Sequence, residues 1–145
     1  MIATSTVTLG SEEGPHFSIA KVERFTDDSG WRGLLTIRSG SFALIGHSFY
    51  FDDLLPFRDQ IRLIYRDLEG SATLRPRYEY DSLEVVAASR GHVVVRGHFE
   101  TYTPETHKLD LEFVLDQTFL PPLISSLDRV IQETQSEQAT AGNRP

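Results

Sequence analysis

The chain has 145 residues, no cysteine, and 21 acidic against 14 basic residues, for a formal net charge of −7. That length is about one ordinary domain, long enough to bury roughly two-thirds of its unfolded surface unaided, while the absence of cysteine excludes disulfides, thiolate zinc sites and thiol nucleophiles. The acidic balance repels phosphate backbones and favours a basic partner, so nucleic acid is not the expected target.

The opening MIATSTVTLGSEEG lacks the basic and continuous apolar regions of a secretory signal, and no stretch reaches the roughly 18 apolar residues of a membrane span. A cytoplasmic protein without membrane association is expected. HFSIAKVERF (16–25) and WRGLLTIRS (31–39) are β-branched and aromatic runs separated by the turn signal TDDSG, and read as a hairpin. SFALIGHSFYF (41–51) follows after a two-residue turn at Ser39 and Gly40, a register that sets Arg38 against Ser41, Ile37 against Phe42 and Leu35 against Leu44. The period then changes. In DDLLPFRDQIRLIYRDLEG, Leu54, Phe57, Ile61, Ile64 and Leu68 fall on one helical stripe, with Asp52 or Asp53 as cap, Pro56 in the first turn and Gly70 at the end.

Beyond the helix, SLEVVAA (82–88), HVVVRGHFET (92–101) and HKLDLEFVLD (107–116) read as a meander. QTFLPPLISSLDRVIQE then makes a second helix striped by Leu123, Leu127, Val130 and Ile131, with Pro121 and Pro122 at its start and Asp116, Gln117 and Thr118 as its cap. The tail from 134 to 145 is polar and aperiodic, and is expected to be disordered. The fold expected is therefore α+β: antiparallel β-meanders of about seven or eight strands with two main helices, ordered β-β-β-α-β-β-β-β-α, in a single domain over 1–133.

The repeat in SRGHVVVRGHFE (89–100) invites a metal or phosphate reading. Alternation puts His92, Val94, Arg96, His98 and Glu100 on one face and Val93, Val95, Gly97 and Phe99 on the other. His92 and His98 then lie about 20 Å apart, too far to share an ion. With YTPET as the next loop, Thr101 faces His107, Glu100 faces Lys108, His98 faces Asp110, Arg96 faces Glu112 and Val94 faces Val114. A three-residue loop, Ser89, Arg90 and Gly91, sets Val86 beside Val94 and Glu84 beside Arg96. The repeat thus reads as the wet face of a sheet, its charges paired across strands.

No metal, cofactor or catalytic constellation emerges, and Gly-rich phosphate loops, GxSxG, HExxH and EF-hand patterns are absent. His16, His47 and His107 are isolated in the sequence. RPRYEYD (75–81) puts Arg75 and Arg77 beside Tyr78 and Tyr80, residue types that anchor interfaces.

The closing LDLEFVLDQTFLPPLISSLDRVI, an apolar strand running into DQTFL and a short amphipathic helix, resembles the end of WapI-type immunity proteins and related small bacterial domains. FDDLLPFRDQIRLIYRDLEGSATL is similar to that family's first helix and following strand, and RGHVVVRGHF occupies the place of its glycine–valine strand, so the likeness spans about residues 16–133. The resemblance implies a non-enzymatic protein that neutralises a toxin domain by direct binding. Many such toxins are basic nucleases, in keeping with the acidic charge. Its motifs are structural and carry over no binding residue. The candidate partner-binding residues come from exposure and chemistry instead: Asp27, Asp28, Asp52, Asp53, Arg77, Tyr78 and Tyr80, ahead of Asp110 and Glu112, which His98 and Arg96 are expected to occupy. The alternatives are a small-ligand or regulatory module with a pocket lined by Phe17, Phe25, Trp31, Phe42, Phe49, Tyr50 and Phe51, and an enzyme without a recognisable motif.

Overall fold

The computed structural model describes residues 5–26, 29–76, 80–102 and 104–142, with 136–142 as backbone only. Four strands and a helix are followed by four strands and a helix: β1 (Val7–Gly10), β2 (His16–Arg24), β3 (Trp31–Ser39), β4 (Phe42–Phe51), α1 (Leu54–Asp67), β5 (Ser71–Leu74), β6 (Ser82–Ala87), β7 (His92–Thr101), β8 (His107–Asp116) and α2 (Leu120–Gly142). The strands form two antiparallel meanders, β1-β2-β3-β4 and β5-β6-β7-β8. The α+β class stands, with β1 added: Val7 and Leu9 point inward, but a four-residue strand is too short for its alternation to stand out in the sequence.

Each meander has one apolar face, and a single core buries both together with the helix stripes. The first sheet contributes Phe17, Ile19, Leu35, Ile37 and Phe49, the second Leu83, Val85, Val93, Val95 and Phe99. The helices add Phe57, Ile61, Leu123, Leu127 and Val130. The sheets meet where the Phe49 and Phe99 rings pack edge to face, centroids 5.7 Å apart. Gly97 permits this approach, since a Cβ there would sit 3.3 Å from Ile37 Cδ1 and 2.6 Å from the Phe99 ring.

Helix α2 and the residue pair leading into α1 also serve two sheet edges, where strand N–H and C=O groups lack a neighbouring strand. The Thr8 amide of β1 donates to Ser126 Oγ of α2 at 3.3 Å, and Ser5 Oγ donates to Glu133 at 3.1 Å. Beyond β5, the Asp52 amide donates to the Arg75 carbonyl at 3.1 Å. Arg62 clamps α1 to α2 with two 2.8 Å bonds from Nη2 to the Asp128 carboxylate.

Helix α1 starts as expected, with the Asp53 side chain accepting from the Leu55 amide and Pro56 in the first turn. Leu68 departs from expectation. It is the left-handed C-cap at φ 56°, its amide bonded to the Ile64 carbonyl, and it faces water instead of completing the buried stripe. At the other helix, Asp116 accepts from the Thr118 amide and a single 3-10 turn, Gln117–Phe119, leads into α2. The helical backbone runs on to Gly142, past Glu133 where the sequence reading starts a disordered tail. Thr134, the first residue of that segment, is buried with its hydroxyl donating to the Val130 and Ile131 carbonyls.

The β3–β4 hairpin corrects the expected register, the turn moving by one residue and each partner by two: Ser39 pairs Phe42, Arg38 pairs Ala43 and Ile37 pairs Leu44. The turn is Gly40–Ser41, with Gly40 at φ 60° in the first turn position, where hairpin turns favour a positive φ. A bulge between Leu35 and Ile37, with Gly46 at φ 65°, then brings Leu35 opposite His47 instead of Leu44. In the second meander every expected pair is found, from Glu84–Arg96 and Val86–Val94 through Val94–Val114 to Thr101–His107.

Gly33 lies buried in β3 where a Cβ would come within 2.3 Å of Ile19 Cγ2 and 3.2 Å of the Ala20 carbonyl oxygen. Gly33→Ala should therefore cost about 1–3 kcal/mol through overpacking. Chemical denaturation reads this directly, and an unchanged midpoint would contradict the packing described.

Candidate functional site

The outward face of the second sheet is built in rows across the strands. Thr73, Glu84, Arg96 and Glu112 follow one another from β5 to β8, and Ser82, His98 and Asp110 form the next row. Period-two alternation puts them there, because their neighbours Leu83, Val85, Val95, Gly97 and Phe113 are drawn into the core. The short Thr73 and Ser82 side chains between longer neighbours leave a shallow trough of about 590 Å³, lined also by Arg75.

The two central cations of this face, Arg96 and His98, are each shared between carboxylates. Arg96 donates from Nε to Glu112 at 2.6 Å and from Nη1 to Glu84 at 3.4 Å. His98 lies with Nδ1 2.5 Å from Asp110 and Nε2 3.1 Å from Glu100. An imidazole donates from both nitrogens only when protonated, so this setting favours the charged ring: the hydrogen bond to Asp110 comes first in raising the His98 pKa, with burial opposing it and Glu100 adding to it. Tyr102 donates to Glu100 Oε2 at 2.5 Å, which holds that carboxyl below its ordinary range.

Among the expected partner-binding residues, Asp52 and Asp53 line a smaller recess of about 360 Å³ with Pro56, Gln60, Ser71 and Arg75. Asp53 is engaged as the α1 cap. Tyr80 is 76 % exposed. Arg77 and Tyr78 lie outside the described residues, as do Asp27 and Asp28; the adjoining Gly30 abuts the Phe51 carbonyl, immediately before Asp52. The described parts of these segments thus gather near one end of the second sheet, and Thr73 and Arg75 line both the recess and the trough. The aromatics of the small-ligand alternative are otherwise disposed. Phe17, Trp31, Phe49 and Phe51 fill the core, Phe25 stacks on Tyr50, and Phe42 is 68 % exposed.

One polar pair was invisible in the sequence. His47 Nε2 lies 2.7 Å from Asp81 Oδ2, joining β4 of the first sheet to the segment before β6, and Asp81 Oδ1 accepts from the Glu100 amide at 3.0 Å. Asp81 is buried, and the His47 ring packs edge-on against Phe99. Among the described residues, no group of three His, Asp or Glu side chains is placed to hold a metal. The pair is instead a cross-sheet tie, and its members are 34 positions apart with no local pattern to announce them.

Two outcomes follow. Asp81→Ala removes the acceptor for both His47 and the Glu100 amide and should cost about 2–4 kcal/mol in denaturant unfolding; a loss within experimental error would show that the tie contributes nothing. His98 should titrate above the ordinary histidine range, and Asp110→Asn should bring it down. Because the folded value is raised, the His98 contribution to stability is present in full below the ordinary histidine pKa and is lost as pH rises through the raised one. Imidazole NMR titration of both proteins checks this, and identical His98 curves would contradict it.

A model of the immunity protein WapI-like family matches residues 8–135, from within β1 to within α2, so the matched stretch takes in both sheets and both helices. Neither the curated proteins nor the solved structures give a match. With the family model covering most of its length, the chain belongs to the immunity protein WapI-like family.

Proposed function

We propose that this protein neutralises the toxic domain of a bacterial toxin by binding it directly in the cytoplasm, with no catalytic step of its own. The observation that carries the reading is the family match across residues 8–135. Charge supports a basic partner: a net −7 speeds encounter with a cationic protein and disfavours nucleic acid. No helix among the described residues is long and apolar enough to cross a membrane. The proposed contacts include Asp52, Asp53 and the exposed Tyr80, with Asp27, Asp28, Arg77 and Tyr78 as further contributors from the same segments. The small-ligand alternative has less support, because most of the aromatics it needs are consumed by the core.

Co-expression with a toxin domain encoded beside this protein tests the reading. Growth should be restored, and a complex should be recovered at low salt and weaken as salt is raised, because steering between opposite charges fades as the Debye length shrinks to about 10 Å at 0.1 M. Equal killing with and without the protein, and no complex at low salt, would overturn the proposal.

A further inference from the structure

We infer that the outward face of the second sheet, centred on the trough between Glu84 and Glu112, is where the toxin docks, and that the occupant is a basic segment whose arginine or lysine side chains enter the trough. This rests on the proposed immunity function and assigns its surface. The first support is charge complementarity. Arg96 is divided between Glu84 and Glu112, and His98 between Asp110 and Glu100; with Arg75 in the trough lining and Lys108 on β8 also counted, the carboxylates Glu84, Glu100, Asp110, Glu112 and Asp116 still outnumber the cations even with His98 protonated. Lys108, opposite Glu100, is the remaining cation of β8, whose outward face also bears Asp116. The outward face of the first sheet has the opposite character, presenting Arg32 and Arg38 on β3 beside Ala20, Leu34 and Thr36, with Glu23 paired to Arg32 at 3.4 Å, and offers less to a basic partner.

The second support is shape and preorganisation. The trough spans the width of the sheet, and its walls are held by cross-strand bonds before any partner arrives, so little side-chain freedom remains to be lost on binding. The third is the aromatic rim. Tyr102 is 54 % exposed while anchored through its hydroxyl to Glu100, and the exposed Tyr80 immediately precedes Asp81, whose Oδ1 accepts from the Glu100 amide at 3.0 Å. Tyrosines flanking a polar centre are the side chains that anchor protein interfaces. Thr73 and Arg75 join the trough to the recess bearing Asp52 and Asp53, which makes those acids the rim of the interface and the glutamates its centre.

The two positions predict different kinetics. With the toxin domain from co-expression as probe, Glu84→Gln with Glu112→Gln should weaken binding by about 10- to 100-fold, mainly through faster dissociation, whereas Asp52→Asn should mainly slow association. Arg96→Gln is the diagnostic variant: it releases both glutamates to the partner and should tighten binding by about three- to tenfold, an effect that a merely structural Arg96 would not produce. Unchanged thermal melting confirms that each variant is folded. If the wild-type protein protects cells and the double glutamine variant binds as tightly as wild type, the surface assignment is wrong and the immunity reading stands. If the wild-type protein binds no toxin, a hexa-arginine peptide titrated into labelled protein decides the surface separately. Amide shifts centred on Glu84, Arg96, His98 and Glu112 support it, and shifts elsewhere or none overturn it.

Discussion

The pairing register of β7 is the constraint on which the remainder of the molecule depends. Val93, Val95 and Phe99 lie in the core and Arg96 and His98 in water because alternation along one strand leaves a single way to satisfy both faces. A slip of one residue would expose the valines and bury the arginine. The same register brings Gly97 beneath Ile37, so the first sheet can close on the second, and it places Phe99 against Phe49 and His47. Helices α1 and α2 then cover what two stacked meanders leave open, and the Arg62–Asp128 clamp draws them together.

Much of this was legible in the sequence because the second meander is local. Its hairpins are short, its charges find opposite partners in one register only, and the valine pairs agree with the charges, so three signals coincide. The β3–β4 hairpin offered no such agreement. Around Ser39, Gly40 and Ser41, either of two frames puts glycine in a two-residue turn, and the bulge at Gly46 absorbs the offset without a sequence mark that distinguishes it from an ordinary strand glycine. Leu68 matched the helical period but follows the last helical residue, where a left-handed cap turns it outward. The His47–Asp81 tie was illegible for a different reason: it depends on how the two sheets stack, which no local periodicity encodes.

The arginine–histidine repeat, read from sequence as a self-satisfied wet surface, has the geometry expected of it, pair for pair. Pairing and neutrality are not the same condition. Because β7 lies between two strands bearing carboxylates, each of its cations is divided, and the ladder that fixes the register also leaves the face short of positive charge. One set of side chains thus serves folding and, in our proposal, recognition, with the loop acids found earliest in the sequence serving as its periphery.

Carboxyl footprinting by carbodiimide labelling and mass spectrometry, on the free protein and on its complex with the toxin domain, tests the central claim most directly. The account predicts that Glu84, Asp110 and Glu112 lose reactivity in the complex while Glu12 and Glu23, which lie away from the second sheet, keep theirs. Undiminished labelling of Glu84 and Glu112 in a stable complex would contradict it.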